Sequence, residues 1–233
     1  MKFTKALLGL AAAVFMLSSC NSSNDDPNNG KNVFLNVATL DYSTSIGSKL
    51  SLQEIDDSPV ITLTTNQQFD PKVFKQGKRL VLVYSSESNE QYVSGPIEVY
   101  SAAMTLGEGD PAKTKTAQEL KELASEKITM TSVWRTGKYL NFAFKGISAG
   151  DPVCDLYVDE ATVGTATPEF HIYYKQTTGA GTAEHDFFGS YDISTWWNPS
   201  TTESIKVFYV DSDFGGEAVK TIVKKPAEIT PNE

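Results

Sequence analysis

Few residues of this 233-residue chain could carry acid–base or metal chemistry. It has two histidines: His171, expected to face solvent from a strand, and His185, within the triplet Glu184-His185-Asp186. Consecutive side chains of a strand alternate between its two faces, so the triplet cannot direct three ligands at one metal ion. The sequence contains no H-E-x-x-H, G-x-S-x-G, Walker or dinucleotide-binding pattern. We therefore expect no enzymatic activity and no cofactor; a hydrolase would need a cleft that holds two carboxylates or this triplet.

One segment has the composition of a calcium loop. Residues 211–217 place oxygen-bearing side chains at alternate positions, followed by Gly215 and Gly216. The segment lacks the twelve-residue spacing of an EF-hand. A hairpin turn uses the same residue types, because aspartate and glycine both favour tight turns. We predict a hairpin turn here and no metal site.

Aromatic residues are the best indication of a binding function. Trp196 and Trp197 are adjacent, and Tyr191 and Trp134 are the other candidates. If the two tryptophans lie on a strand they face opposite sides, so at most one enters the core. The other could then stack on a sugar or anchor a protein interface, whereas buried rings would serve packing. Three further tyrosines are either stacking residues or core residues: Tyr84, Tyr92 and Tyr100.

The N-terminus has the pattern of a secretory signal peptide. Residues 1–19 contain Lys2 and Lys5, then an apolar stretch at 6–17, and they end in small residues directly before Cys20. A buried core helix would need neither the cationic start nor the small residues at the end. We expect residues 1–19 to be removed from the mature protein.

The sequence around the expected cleavage point indicates a lipid anchor. Leu17-Ser18-Ser19-Cys20 resembles the bacterial lipobox, in which the cysteine becomes the acylated N-terminal residue. Residues 20–32 are almost entirely polar and predict a flexible tether. Its acidic pair, Asp25-Asp26, either resembles a surface-export signal or is ordinary linker charge. We expect a protein held by Cys20 at the outer membrane, at the cell surface or in the periplasmic leaflet.

Charge and cysteine content narrow the set of partners. The chain has 20 basic and 29 acidic residues, a net charge of −9 that becomes −11 without Lys2 and Lys5. Such a polyanion is repelled by nucleic acid phosphates, so no nucleic acid partner is expected. With Cys20 lipidated, only Cys154 remains, which excludes an intramolecular disulfide. Nothing near Cys154 would lower its thiol pKa, so we predict a buried core residue.

The hydrophobic pattern of the mature chain favours strands over helices. Thr116 followed by Glu119 forms a capping box, which predicts one short helix ending near Glu126. We expect a mainly β protein: a small barrel at 33–108, a linker with the helix at 109–127, and an antiparallel β-sandwich at 128–233. The strand patterns lie at residues 33–40, 59–65, 80–84, 97–101, 139–144, 170–174, 205–209 and 219–223.

Four features of the chain resemble those of the NigD-like lipoproteins of the Bacteroidetes. The first is the lipobox with its acidic, Asn-rich tether. The other three are Phe69-Asp70-Pro71 leading into residues 77–84, the W-x-x-G-x-Y-L-N pattern within residues 133–141, and an expected hairpin of 170–175 with 191–193.

This resemblance implies an N-terminal OB-type barrel and a C-terminal β-sandwich. It also implies a non-enzymatic role in which the protein contacts an envelope protein or a bacteriocin, as in bacteriocin immunity. A fimbrial accessory subunit and a glycan-binding surface lipoprotein are the alternatives. The second would use Trp196, Trp197, Tyr191 or Trp134 as its stacking residues.

Overall fold

The computed structural model describes residues 30–177 and 183–224 of the chain. The expected signal peptide, Cys20 and most of the tether lie outside these ranges, so they remain predictions. In the described ranges, no helix has the length and apolar character needed to cross a membrane.

The N-terminal half is a closed five-stranded barrel with the strand order β1-β2-β3-β5-β4. Its inner side chains are mostly leucines contributed by alternate strand positions, such as Leu50, Leu63, Leu80 and Leu82, which are all 0% exposed. The barrel confirms the predicted fold of this half. The strands are β1 (Phe34–Thr44), β2 (Gly47–Leu52), β3 (Ile61–Thr65), β4 (Arg79–Ser86) and β5 (Gly95–Met104).

The C-terminal half is a sandwich of a five-stranded sheet, β13-β12-β10-β9-β6, and a three-stranded sheet, β11-β8-β7. One apolar core joins the two sheets, with Phe142 and Phe144 on one side and Leu156, Phe170 and Val207 on the other. The strands are β6 (Lys113–Lys115), β7 (Thr129–Thr136), β8 (Tyr139–Ile147), β9 (Val153–Asp159), β10 (Glu169–Lys175), β11 (Glu184–Asp192), β12 (Ser204–Val210) and β13 (Glu217–Val223).

The strand pairing of the sandwich differs from the prediction in two respects. The expected hairpin of 170–175 with 191–193 is wrong, because β10 pairs with β9 and β12 while β11 pairs with β8 in the other sheet. The sandwich is also not purely antiparallel, since β10 with β12 and β6 with β9 are parallel pairs. Strand β6 falls inside the predicted linker, so part of that segment belongs to the sandwich sheet.

The predicted helix is present and is shorter than expected. Helix α1 spans Ala117–Glu122, and both halves of the Thr116–Glu119 capping box are formed. It ends before Glu126 because Leu123 already has an extended backbone. A second helix, α2, covers Ser194–Trp197, where the sequence had suggested a strand.

The two halves are joined by main-chain and side-chain contacts. Leu106, just after the barrel, exchanges backbone hydrogen bonds with β11: its N–H donates to Phe188 at 2.8 Å and its carbonyl accepts from Ser190 at 3.0 Å. Arg79 of the barrel reaches Ser190 and Asn141 of the sandwich. In the opposite direction, Arg135 of β7 reaches Asp57 in the β2–β3 connection. These contacts fix the barrel against the three-stranded sheet.

Candidate binding surfaces

The adjacent tryptophans lie in the core of the sandwich. Trp196 is 8% and Trp197 4% exposed, and Trp196 packs edge-on against Phe170 with ring centroids 5.9 Å apart. The expectation that only one of them enters the core is wrong, because it assumed a strand. In the single turn of α2, neighbouring side chains diverge by about 100° instead of 180°, and both can point inward.

The other two predicted binding residues are separated from the tryptophan pair. Tyr191 is 3% exposed, and its hydroxyl donates a hydrogen bond to the carbonyl of Cys154 at 2.5 Å. Trp134 is half-buried and lies opposite Asn141 in the β7–β8 ladder, on the three-stranded sheet. The structure therefore brings no exposed cluster of Trp134, Tyr191, Trp196 and Trp197 together.

Two predictions about isolated residues are confirmed by the structure. Cys154 is buried, and burial raises the pKa of its thiol to about 12, so the thiol stays protonated at neutral pH. Residues 211–216 form the predicted hairpin turn between β12 and β13. In this turn the Asp211 carboxylate accepts hydrogen bonds from the backbone N–H groups of Asp213 at 2.7 Å and Phe214 at 3.2 Å.

The histidines do not join acidic residues into a metal site. Residues 30–177 and 183–224 hold no group of three or more His, Cys, Asp or Glu side chains placed to bind a metal ion. His171 is less exposed than predicted: 23% of its side chain is accessible, and its ring stacks on Phe208 with centroids 4.9 Å apart. Burial lowers the pKa of His171, against the opposing charge of Glu217.

The stacked His171 and Phe208 belong to an aromatic surface that the sequence reading did not find. In β9, β10, β12 and β13 one set of alternate residues fills the core, and the other set points away from the three-stranded sheet. The register places Tyr157, His171, Phe208 and Val219 side by side across this outer side. We call these four residues, with Tyr173, the aromatic face.

The aromatic face becomes more exposed from β9 to the edge strand β13. Tyr157 is 8% exposed and has the Lys115 ammonium 5.0 Å from its ring centroid. His171, Tyr173 and Phe208 are half-buried, and Val219 is 49% exposed. Ion pairs border the rings, at 2.7 Å for Lys113–Asp155 and 2.9 Å for Lys206–Glu169. Half-exposed rings bordered by paired charges have the composition of a protein-binding patch.

The aromatic face continues to a strand edge. In the described part of the chain, β13 pairs only with β12. The Lys224 N–H donates to the Glu203 carbonyl at 2.7 Å, and the Asp211 N–H donates to the Gly216 carbonyl at 2.8 Å. In a regular antiparallel ladder, every second residue of a strand directs its backbone N–H and C=O groups to the same neighbouring strand. The two bonds therefore show that the even-numbered residues of β13 direct these groups to β12. The backbone groups of Val219 and its odd-numbered neighbours therefore point outward from the sheet.

A second feature lies at the junction of barrel and sandwich, around Arg79. This residue is 3% exposed, and its guanidinium donates to Ser190 at 3.1 Å, Thr39 at 3.1 Å, Thr136 at 3.3 Å and Asn141 at 3.2 Å. Burial lowers the pKa of Arg79 to about 10, so it remains a cation at neutral pH. All four acceptors are neutral oxygens.

Arg135, the second junction arginine, has an acidic partner. Both of its terminal nitrogens donate to the Asp57 carboxylate at 2.7 Å, and its guanidinium carbon lies 4.4 Å from the centroid of the Trp197 ring. The hydrogen bond from Arg135 and its charge lower the pKa of Asp57 below the ordinary value of 3.8. The pair connects the β2–β3 connection of the barrel to β7 of the sandwich.

The Asp57–Arg135 pair predicts a defined pH dependence. Because the pKa of Asp57 is lower in the folded state, its stabilisation is complete above the unfolded pKa and disappears as the pH falls through the folded pKa. Asp57→Asn should cost about 1 kcal/mol or less at pH 7, because the carboxylate side chain is 78% exposed. Urea unfolding of both proteins should show a constant difference from pH 7 to about pH 5 that shrinks below about pH 4. A difference that grows on acidification would contradict the assignment, and Asp213→Asn at the exposed hairpin turn is the control.

Comparisons with known proteins show that solved structures from Bacteroides and Parabacteroides species share the fold of this chain. No family model matches the sequence. No curated protein matches it either. Solved structures do share its fold: a protein of unknown function, DUF1344, from Bacteroides vulgatus has a TM-score of 0.63 at 18% identity, over 84% of this chain and 93% of its own.

Two further structures carry functional descriptions. A NigD-like immunity protein from Bacteroides caccae matches with a TM-score of 0.56 at 15% identity, over 82% of this chain and 97% of its own. A protein described as toxin related, from Parabacteroides distasonis, matches with a TM-score of 0.59 at 17% identity, over 83% and 94% of the two chains. At identities of 15–18% the likeness concerns the fold. The predicted resemblance to NigD-like proteins is therefore confirmed for the fold.

Proposed function

We propose that this protein is a lipid-anchored, non-enzymatic protein of the outer membrane that binds another protein through its aromatic face, in an immunity-type role. The observation that carries this proposal is the fold shared with a NigD-like immunity protein over 82% of the chain. The partner we propose is a bacteriocin or another protein that reaches the envelope.

The aromatic face supplies the chemistry of such a contact. Tyrosine and phenylalanine are enriched at protein interfaces, because they bury a large area at a low cost in side-chain entropy. The backbone N–H and C=O groups of Val219, which point outward from the sheet, offer a second way to bind a protein: a strand of the partner can pair with β13. The net charge of −11 expected without Lys2 and Lys5 favours a basic partner, since opposite charges speed encounter and suppress wrong pairings.

A glycan ligand has less support than a protein partner. The rings predicted to stack on sugars, Trp196 and Trp197, are buried, so they offer no platform in this conformation. The aromatic face instead presents His171, Tyr173 and Phe208, which are half-buried side by side and suit contact with a protein surface. Sugar binding is therefore the alternative that the experiment with Val219→Asp below distinguishes from protein binding.

The anchor sets how far the domains stand from the membrane. Gly30, where the described chain begins, lies ten residues after Cys20, a distance of at most about 35 Å when the segment is fully extended. The barrel follows at Phe34, so the protein would act close to the bilayer. Mass spectrometry of the membrane fraction should find Cys20 acylated; a bare thiol on cytosolic material would overturn this part of the proposal.

The binding face is tested by a matched pair of charge substitutions. Val219→Asp places a carboxylate on the aromatic face, where Val219 is 49% exposed, and Ile147→Asp does the same on β8 of the other sheet, where Ile147 is 44% exposed. Both should fold, because surface substitutions usually change stability by about 0.5 kcal/mol or less. A strain lacking the gene should become sensitive to toxin-containing supernatants of competing strains. Wild type and Ile147→Asp should restore resistance, and Val219→Asp should not.

Each alternative outcome has a definite meaning. Full rescue by Val219→Asp would show that the aromatic face is not the contact. A deletion strain as resistant as its parent to every supernatant would contradict the immunity-type role. A rise in melting temperature of several degrees with a polysaccharide, abolished by Val219→Asp, would support the glycan-binding alternative.

A further inference from the structure

Arg79 is a buried cation without an acidic partner in the described part of the chain. Every ion pair found in residues 30–177 and 183–224 involves other residues, and the four bonds of Arg79 go to hydroxyl and amide oxygens. Taking a guanidinium out of water costs several kcal/mol, and neutral acceptors offset less of that cost than a carboxylate does. The position therefore favours an anion near Arg79.

The hydrogen bonds show which side of the guanidinium can reach a ligand. Nε and Nη2 donate to the sandwich residues Ser190, Thr136 and Asn141. Nη1 donates to Thr39, which lines a cleft between barrel and sandwich together with Arg79 itself. A guanidinium has five N–H groups, and these bonds use four of them, which leaves one on Nη1 at the cleft side.

The cleft has a volume of about 260 Å³ and contains a second cation and an aromatic ring. The Tyr139 ring centroid is 4.4 Å from the Arg79 guanidinium carbon and 5.0 Å from the Lys138 ammonium. Lys138 also pairs with Asp192 at 2.7 Å, which offsets part of its charge, so Arg79 is the main anion anchor. The lining contains no acidic residue: it consists of Thr39, Ser51, Leu52, Gln53, Val60, Arg79, Lys138 and Tyr139.

We propose that this cleft binds the carboxylate group of a small organic acid. The carboxylate would accept the remaining N–H of Arg79 Nη1, with Lys138 as a second positive group. The Tyr139 ring and the Val60 side chain would contact the apolar part of the molecule. The volume is below the roughly 300–1,000 Å³ of sites for drug-sized ligands, so it selects a small acid.

The experiment is a titration followed by nuclear magnetic resonance on the 15N-labelled protein. Benzoate is the probe, and benzamide is its neutral control of the same shape. Benzoate should bind with a dissociation constant in the range of about 0.1–10 mM and shift the amide signals of the cleft lining, while benzamide should shift them far less. Arg79→Met should abolish the effect.

Because Arg79→Met also alters the junction, a second pair of variants keeps the test decisive. Lys138→Gln should weaken benzoate binding about two- to fivefold, and Lys78→Gln, whose lysine lies outside the lining, should leave it unchanged. Equal shifts with benzamide, equal weakening by both lysine variants, or shifts confined to other surface lysines would each overturn the proposal. None of these outcomes affects the proposed role of the aromatic face, which lies on the five-stranded sheet of the sandwich, away from the cleft.

Discussion

Replacing Phe142 by alanine should lower the free energy of unfolding by about 3–5 kcal/mol, the usual range for a buried phenylalanine. The ring is 0% exposed, and its centroid lies 5.9 Å from that of Tyr191 and 6.0 Å from that of Phe144. It packs directly against Gly189 of β11, where an added Cβ would overlap with the ring. The alanine variant therefore leaves a cavity between β8 and β11 that rigid neighbours cannot close.

The measurement is urea unfolding followed by tryptophan fluorescence. Phe214→Ala is the control, because the same atoms are removed from a ring that is 87% exposed at the β12–β13 turn. Its expected effect is within about 0.5 kcal/mol. A Phe142→Ala cost as small as that of the control would show that the sandwich core is not packed as described.

The second large effect is expected for Arg79→Ala, at about 3 kcal/mol. The substitution removes four hydrogen bonds, takes from the buried Ser190 hydroxyl oxygen the donor that it has in Arg79, and leaves a cavity at the barrel–sandwich junction. Relief of the buried charge opposes this loss. We expect the loss to be larger, because the hydrogen bonds across the junction and the packing of a side chain that is only 3% exposed are lost together.

Lys78→Ala is the neighbouring control for Arg79→Ala. The Lys78 side chain is 28% exposed and pairs with Glu108 and Asp110 at the surface, so its loss should cost about 1 kcal/mol or less. If Arg79→Ala also uncouples the two halves, its unfolding curve should separate into two transitions. A single transition with a cost no larger than that of Lys78→Ala would contradict the role of Arg79 in joining barrel and sandwich.

Local patterns predicted the architecture correctly where each pattern is complete within a few residues. The alternation of large apolar residues in β8 predicted a strand, as did the apolar run in β4, and Thr116 with Glu119 predicted the start of α1. The burial of Cys154 followed from the absence of nearby groups that would lower its pKa. In each case the cause lies in the adjacent sequence.

Pairing between distant strands could not be predicted in this way. The parallel alignment of β10 with β12 depends on the whole sandwich core, and nothing in residues 170–175 distinguishes it from the expected hairpin. Helix α2 did have a local signal that was missed. The Asp192 carboxylate accepts from the Ser194 N–H at 2.8 Å, and Pro199 follows the helix end, as is common at helix termini.

The aromatic face also left a signal in the sequence. Strand β10 carries large residues at every position from Phe170 to Tyr174, and β12 does so from Val207 to Tyr209. A strand with one solvated side alternates apolar and polar residues. Large side chains on both sides of β10 and β12 therefore indicate a binding surface in addition to the core. The neighbours across the face depend on register, which the sequence alone does not reveal.

The order of strand partners along the chain has a consequence for biogenesis. Every barrel strand finds its partners within residues 34–104, so a nascent chain can complete the barrel before the rest has been synthesised. Strand β6 must wait for β9, which begins 38 residues after β6 ends, and β12 completes its side of the sandwich only when β13 has emerged. The sandwich is therefore the half whose apolar core stays open until the last strands of the chain have emerged.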